Sequence, residues 1–264
     1  MPIPRSKLLE TYAHVTQTLR ASEEWEPSYS AAPEHLKRLI REEAKLQRSV
    51  NEYLLDLRDR VPGFLNWDEV KLAPIQAAAV PPLDDQVFKA EQALFNAAVA
   101  GYLLEMTAIG AQAGEFVYAI PLGIGPLDQA VLSSAATQTA KLVKSVTDTT
   151  RKYIQTAVQQ SIAQGEDSFA LINRIQQLVA SPVRAEMIAQ TESVTAYQSG
   201  LDVFGVQSGA KSSTWDALSG ACQLCAPLDG KTAKLGESFV LGNGTAVLYP
   251  PGHPRCRCGR ILNY

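Results

Sequence analysis

Cysteine is scarce in this chain of 264 residues, with four in total, and histidine, tryptophan and methionine are scarcer still at three each. A disulfide framework needs an oxidising compartment, and the N-terminus MPIPRSKLLE has no apolar core of a signal peptide, so paired disulfides are not the expectation. Long hydrophobic runs are missing as well. The most apolar stretch, FVYAIPLGIGPL from Phe116 to Leu127, is broken by Pro121, Gly123, Gly125 and Pro126, whereas a membrane-spanning helix needs about 20 apolar residues. No membrane span is therefore expected. No Gly-Lys-Ser/Thr follows those glycines, which removes a phosphate loop there. That stretch is either a buried connector or an apolar loop offered to a partner. Positive charge is also lacking: the net charge is −3, without the concentrated basic face that DNA binding usually demands.

The few cysteines that are there sit together. CQLC covers Cys222 to Cys225, and HPRCRC covers His253 to Cys258. Thiolate and imidazole are preferred zinc donors, and two close pairs separated by a loop are how a chain builds a tetrahedral site. Five donors, Cys222, Cys225, His253, Cys256 and Cys258, compete for four positions, and spacing does not choose among them. A structural zinc takes four protein donors and keeps no open position, which argues against metal catalysis. A redox Cys-x-x-Cys wants a thioredoxin-like βαβ setting, and a Cys/His nucleophile wants an orienting residue; the flanking sequence offers neither. Arg255, Arg257 and Arg260 crowd the last pair. Arg257 is expected to stabilise the knuckle, with contact to nucleic acid as the alternative.

The rest of the chain reads as helix. From Glu34, apolar residues recur at Leu36, Leu39, Leu46, Val50, Tyr53 and Leu57 at alternating threes and fours, with Glu43 interrupting. Packing within its own domain is favoured for this stripe over docking on another helix. Pro62-Gly63 ends it, and Lys71 to Asp84, with three prolines, reads as a hinge. An alanine-rich helix from about Asp85 to Ile109 follows, its alanines at 90, 93, 97 and 98 permitting close helix approach. A long helix begins after Leu127-Asp128 and stops at Gly165; Asp167 or Ser168 caps a shorter one. Ser181-Pro182 opens the next, whose Arg184, Ile188, Thr191, Glu192 and Thr195 share a face. That face is expected to be a polar network holding the helix against the cysteine module rather than a catalytic site. After Lys211, SSTWDAL, SFVL, AVLYP and CGRILNY are β-prone pieces separated by turn signals, predicting a small sheet tied by metal. The fold class is α+β: a mainly α-helical N-terminal region, then a small mixed α/β C-terminal domain with a zinc knuckle. The expected units are residues 1–80, 81–180 and 181–264.

Several unusual elements occur in a set order. RAEMIAQTESVTAYQSG begins at Arg184, WDALSGACQLCAPLDGK at Trp215, and PPGHPRCRC closes the region from Pro250. Together they resemble the phage Mu F-like head morphogenesis, or minor head protein, family over roughly residues 150 to 260. Gln190 departs from the pattern, where Arg is common. The resemblance implies Arg184, Thr191, Glu192, Trp215, Asp229 and Gly230 as structural motif residues beside a structural Zn²⁺ site. It further implies a non-enzymatic protein of the virion, inside the capsid, assembled in the host cytoplasm. Its partners would be the portal protein or major capsid protein, with a role in DNA packaging or ejection. Alternatives are a zinc-dependent DNA-binding adaptor and a toxin-related enzyme domain.

Overall fold

A computed structural model of the chain describes residues 25, 27–67, 70 and 83–264. The hinge expected from Lys71 lies almost wholly outside the described residues. A short turn of helix, α1 (Pro27–Ser30), precedes α2 (Pro33–Arg60), which ends in a 3₁₀ turn at Val61–Phe64. From residue 83 onward there are four helices: α3 (Asp85–Tyr118), α4 (Gln129–Gln164), α5 (Ser168–Val179) and α6 (Pro182–Ser208). Their starts are chemically marked. Asp84, Asp128 and Asp167 each accept a bond from a backbone N–H of the first turn, filling donors that helices leave open. Gly165 and Gly209 close α4 and α6 in the left-handed conformation that glycine adopts without penalty.

The apolar stripe of α2 is internal. Leu39, Leu46, Val50, Tyr53 and Leu57 are buried in one cluster with Phe95, Val99, Leu103 and Met106 of α3, Ile154 and Val158 of α4, Ile175 of α5 and Ile188 of α6. This is the packing alternative rather than a free docking face.

Helix α3 is longer than the sequence suggests: it passes Ile109 and ends at Tyr118. Gly110 and Gly114, weak helix formers, are where α6 presses closest. A Cβ on Gly110 would lie 1.9 Å from the Tyr197 carbonyl oxygen, and one on Gly114 2.4 Å from the Phe204 ring. Gly200 of α6 answers, since its Cβ would stand 1.8 Å from the Thr107 carbonyl oxygen. The close approach is therefore made by glycines. The alanines at 90, 93 and 97 are exposed and Ala98 is half-buried. By length and composition α3 is apolar enough to cross a bilayer, the one such helix among the described residues. Thirteen of its residues are instead buried in the fold.

The link between α3 and α4 is the apolar FVYAIPLGIGPL stretch, whose first three residues belong to α3. Its Ile124 is buried while Phe116 and Leu127 are exposed. The Glu115 carboxylate shapes it by accepting from the backbone N–H of Leu122 and Ile124.

After α6 come five short strands: β1 (Ser212–Asp216), β2 (Thr232–Lys234), β3 (Phe239–Val240), β4 (Ala246–Val247) and β5 (Gly259–Asn263). They form two units instead of one sheet. β1 is central in an antiparallel trio ordered β2-β1-β5, and β3 and β4 make a separate ribbon. The α+β class stands, and among the described residues the strands are confined to the tail.

Candidate metal centre

Two loops of the tail carry the donors, and local chemistry shapes each. In the first, the Cys-x-x-Cys segment closes a turn: the N–H groups of Cys225 and Ala226 both donate to the Cys222 carbonyl. Asp229 and Gly230 tie that loop back to β1. The Asp229 carboxylate accepts from the Ala217 N–H at 3.0 Å, and the Gly230 N–H donates to the Trp215 carbonyl. Gly230 takes a φ of 70°, which favours glycine at that turn. Trp215 is fully buried, edge-on to Phe239 with centroids 5.3 Å apart, and shares a small apolar cluster with Leu228, Leu241 and three of the cysteines. The second loop passes close beneath the first. A Cβ on Gly252 would meet Leu241 at 2.8 Å and the Cys225 sulfur at 3.3 Å.

The five donors fall into two triads that overlap at one cysteine. Cys225, Cys256 and Cys258 place their sulfurs within 4.8 Å of one another, and Cys222, Cys225 and His253 do the same with their donor atoms. Cys225 is common to both groups. Its sulfur is 3.8 Å from that of Cys256. Two sulfurs about 2.3 Å from a tetrahedral zinc would be separated by about 3.8 Å, so the pair already has the edge length of such a site. Cys222 Sγ and His253 Nε2 are 3.0 Å apart. The other imidazole nitrogen, Nδ1, is 2.8 Å from the Pro254 carbonyl oxygen. A carbonyl only accepts, so Nδ1 carries the proton and Nε2 keeps its lone pair toward the cysteines, the tautomer a metal needs. Cys222 is exposed, His253 half-buried, and the remaining three cysteines buried. Hydrogen bonds from the Cys225 and Cys258 thiols hold Cys256 well below the ordinary thiol range, while Cys225 is raised. The donor set thus suits a soft, thiolate-loving divalent cation.

The residues flanking the cysteines face the helices. Arg257 makes a two-pronged ion pair with Glu43 of α2, at 2.7 and 2.8 Å, and both side chains are 5% exposed. Ser193 of α6 donates to the same carboxylate. The Trp25 ring covers the guanidinium at 4.0 Å. Arg255 donates to Glu186 of α6 at 3.2 Å, and its backbone N–H donates to Thr191 Oγ1 at 3.1 Å. Arg260 donates to Asp202 at 2.9 Å and to the Gln198 carbonyl at 2.7 Å. All three arginines beside the cysteines are therefore held by carboxylates of the helical body.

The motif residues of α6 divide between tasks. Thr191 meets the cysteine loop through Arg255. Arg184 does not; it donates to the Val146 and Val179 carbonyls and to Thr150, binding α6 to α4 and α5. Gln190, the departure from the family pattern, donates to Glu186, the carboxylate that Arg255 also pairs with. Glu192 is half-buried, and burial pushes its carboxyl up to about 7.

The raised Glu192 has a pH consequence. Its folded pKa lies above the unfolded value near 4.3, so its contribution is intact below about pH 4 and is lost as pH rises through 7. Glu192→Gln is expected to remove that loss. Relative to wild type, the variant should gain about 2 kcal/mol between pH 5 and pH 8, allowing for partial exposure. Urea denaturation at both pH values checks this; a gain that does not change with pH would refute it.

A helical body bearing a knuckle of four cysteines and a histidine, latched by arginines, is the class of domain that fold and site define. Residues 152–261 match a protein family model described as Phage Mu protein F like protein, so the resemblance carried by the motifs is borne out over that stretch. No curated protein and no solved structure matches the chain. The matched stretch begins inside α4, so Glu43 and Trp25, which hold Arg257, lie outside it, as does Tyr29, whose hydroxyl donates to the Cys258 carbonyl. Periodicity reasoning had one signal for them: Glu43 is the acidic interruption in an otherwise apolar stripe.

Proposed function

We propose that this chain is a phage minor head protein that acts in head morphogenesis as an architectural component, without turnover of a substrate. The family match over residues 152–261 supports the head assignment. Two overlapping triads of soft donors that share Cys225 support a structural metal, with Zn²⁺ as the ion and four of Cys222, Cys225, His253, Cys256 and Cys258 as its ligands. When bound, the ion supplies a cross-link between the two loops. The chain's own residues do the rest: Trp215 and Leu228 fill the floor beneath the cysteines, and Arg255, Arg257 and Arg260 fasten the knuckle to α2 and α6. Arginines already engaged by Glu186, Glu43 and Asp202 favour the architectural reading over DNA contact at this face. Its partners would be the portal or major capsid protein, and its place the capsid interior. A part in packaging or ejection of DNA would follow from that position.

Protein prepared in zinc-replete medium is expected to carry one zinc per chain by elemental analysis, with at least three of the four thiols unreactive until a chelator is added. Four freely titrating thiols and no metal would refute the metal reading. Co-purification with portal-containing procapsids tests the head reading separately.

A further inference from the structure

Residues 255–259 face alternately in two directions. Cys256 and Cys258 turn into the thiol cluster, while Arg255, Arg257 and Gly259 turn toward the helices. What they touch on that second side includes the N-terminal elements. Arg257 holds Glu43 of α2 and lies under Trp25. The Tyr29 hydroxyl of α1 donates to the Cys258 carbonyl at 2.9 Å, and the Gln198 side chain steadies Tyr29 in turn. Gly259 lets α1 come against the chain, for a Cβ there would sit 2.1 Å from Ser28 Oγ.

We propose that docking of α1 and the first half of α2 is conditional on metal in the cysteine cluster, with Arg257 as the coupling residue. The inference rests on the metal reading given above. The run between β4 and β5, residues 248–258, belongs to no strand, so its path depends on its side chains and on what holds them. Cys256 and Cys258 flank Arg257 directly, and pinning both sulfurs fixes the backbone that aims the guanidinium. A bidentate pair tolerates little displacement, because both N–H···O bonds need distance and angle together. Once the loop relaxes, the buried Glu43 carboxylate keeps only the Ser193 hydroxyl of its described partners and loses its cation, and the cheapest relief is for that part of α2 to move to water. The stripe of Leu39, Leu46 and Val50 would go with it, converting a core face into an apolar helix face of the kind grooves capture. Metal occupancy at one end of the chain would thereby set the availability of a helix more than 200 positions away in sequence.

Hydrogen exchange of the whole chain, with zinc and after chelation, tests this. Chelation is expected to accelerate exchange about tenfold in residues 27–51, while α4 keeps its protection. The double variant Glu43→Leu/Arg257→Met removes the coupling by taking out both charges of this pair together. It should still bind zinc, and its α2 should no longer respond to chelation. Acceleration confined to residues 212–262 in the wild type would overturn the coupling while leaving the metal reading intact. A double variant whose α2 responds like the wild type would overturn Arg257 as the coupler. Absence of metal from zinc-replete protein would remove both.

Discussion

Replacing Glu43 by alanine is expected to cost about 3–5 kcal/mol of folding stability, a large share of what a domain has to lose. The reason is what remains behind. Arg257 would stay buried between two cysteines, beside Ser193 and under the Trp25 ring, with its bidentate pair to Glu43 gone. An exposed pair of the same geometry would contribute less than about 1 kcal/mol, because water screens both charges. Lys144 and Asp148, on the solvent side of α4, form such a pair, and Lys144→Ala is the matched control with almost no expected change. The double variant Glu43→Leu/Arg257→Met should recover most of the loss, to within about 1 kcal/mol of wild type, since apolar side chains of similar volume carry no desolvation cost. Guanidinium denaturation of the wild type and the three variants checks these values. Equal losses for Glu43→Ala and Lys144→Ala would show that the Glu43 site admits water.

This pair also marks where the sequence stops being legible. The gathering of the four cysteines and His253 could be read because it is prepared locally: Cys-x-x-Cys and His-x-x-Cys-x-Cys put these groups within a few residues of each other. Asp128, Asp167 and Gly165 could be read for the same reason, since a cap acts on the turn beside it. The partner of Arg257 lies 214 positions away, and nothing in the periodicity of α2 says which arginine its interrupting glutamate will meet. The strands show an intermediate case. Four of the five β-prone or turn-bounded pieces were visible, but Thr232–Lys234, short and mostly exposed, lacks the apolar alternation that signals a strand. Its place beside β1 is set by pairing across the Leu228–Gly230 turn. The division of the tail into a trio and a ribbon follows from loop paths around the cysteines, which spacing leaves open.

The contact between α3 and α6 was the least visible of all, and it carries the other large effect. Gly200→Ala is expected to destabilise the protein by about 3 kcal/mol or more. Two terms of opposite sign compete. Alanine is the better helix former by about 1 kcal/mol, and α6 is helical on both sides of this position. Against that gain stands the Thr107 carbonyl oxygen, 1.8 Å from where the new methyl would be. That neighbour is backbone, held within α3, and does not rotate away as a side-chain tip would. The two helices would have to separate, and the fully buried core around Phe95, Leu103, Met106 and Ile154 would open with them. Gly101, on the same α3, isolates the favourable term: it is exposed, and a Cβ there would meet nothing within 4 Å. Gly101→Ala should therefore stabilise by about 0.5–1 kcal/mol. In thermal melts the two alanines should move Tm in opposite directions, down by about 6 °C or more for Gly200→Ala and up by about 2 °C for Gly101→Ala. A Gly200→Ala variant melting at or above the wild type would mean that α3 and α6 are held apart, and that the close crossing is not what joins the helical body to the knuckle-bearing helix.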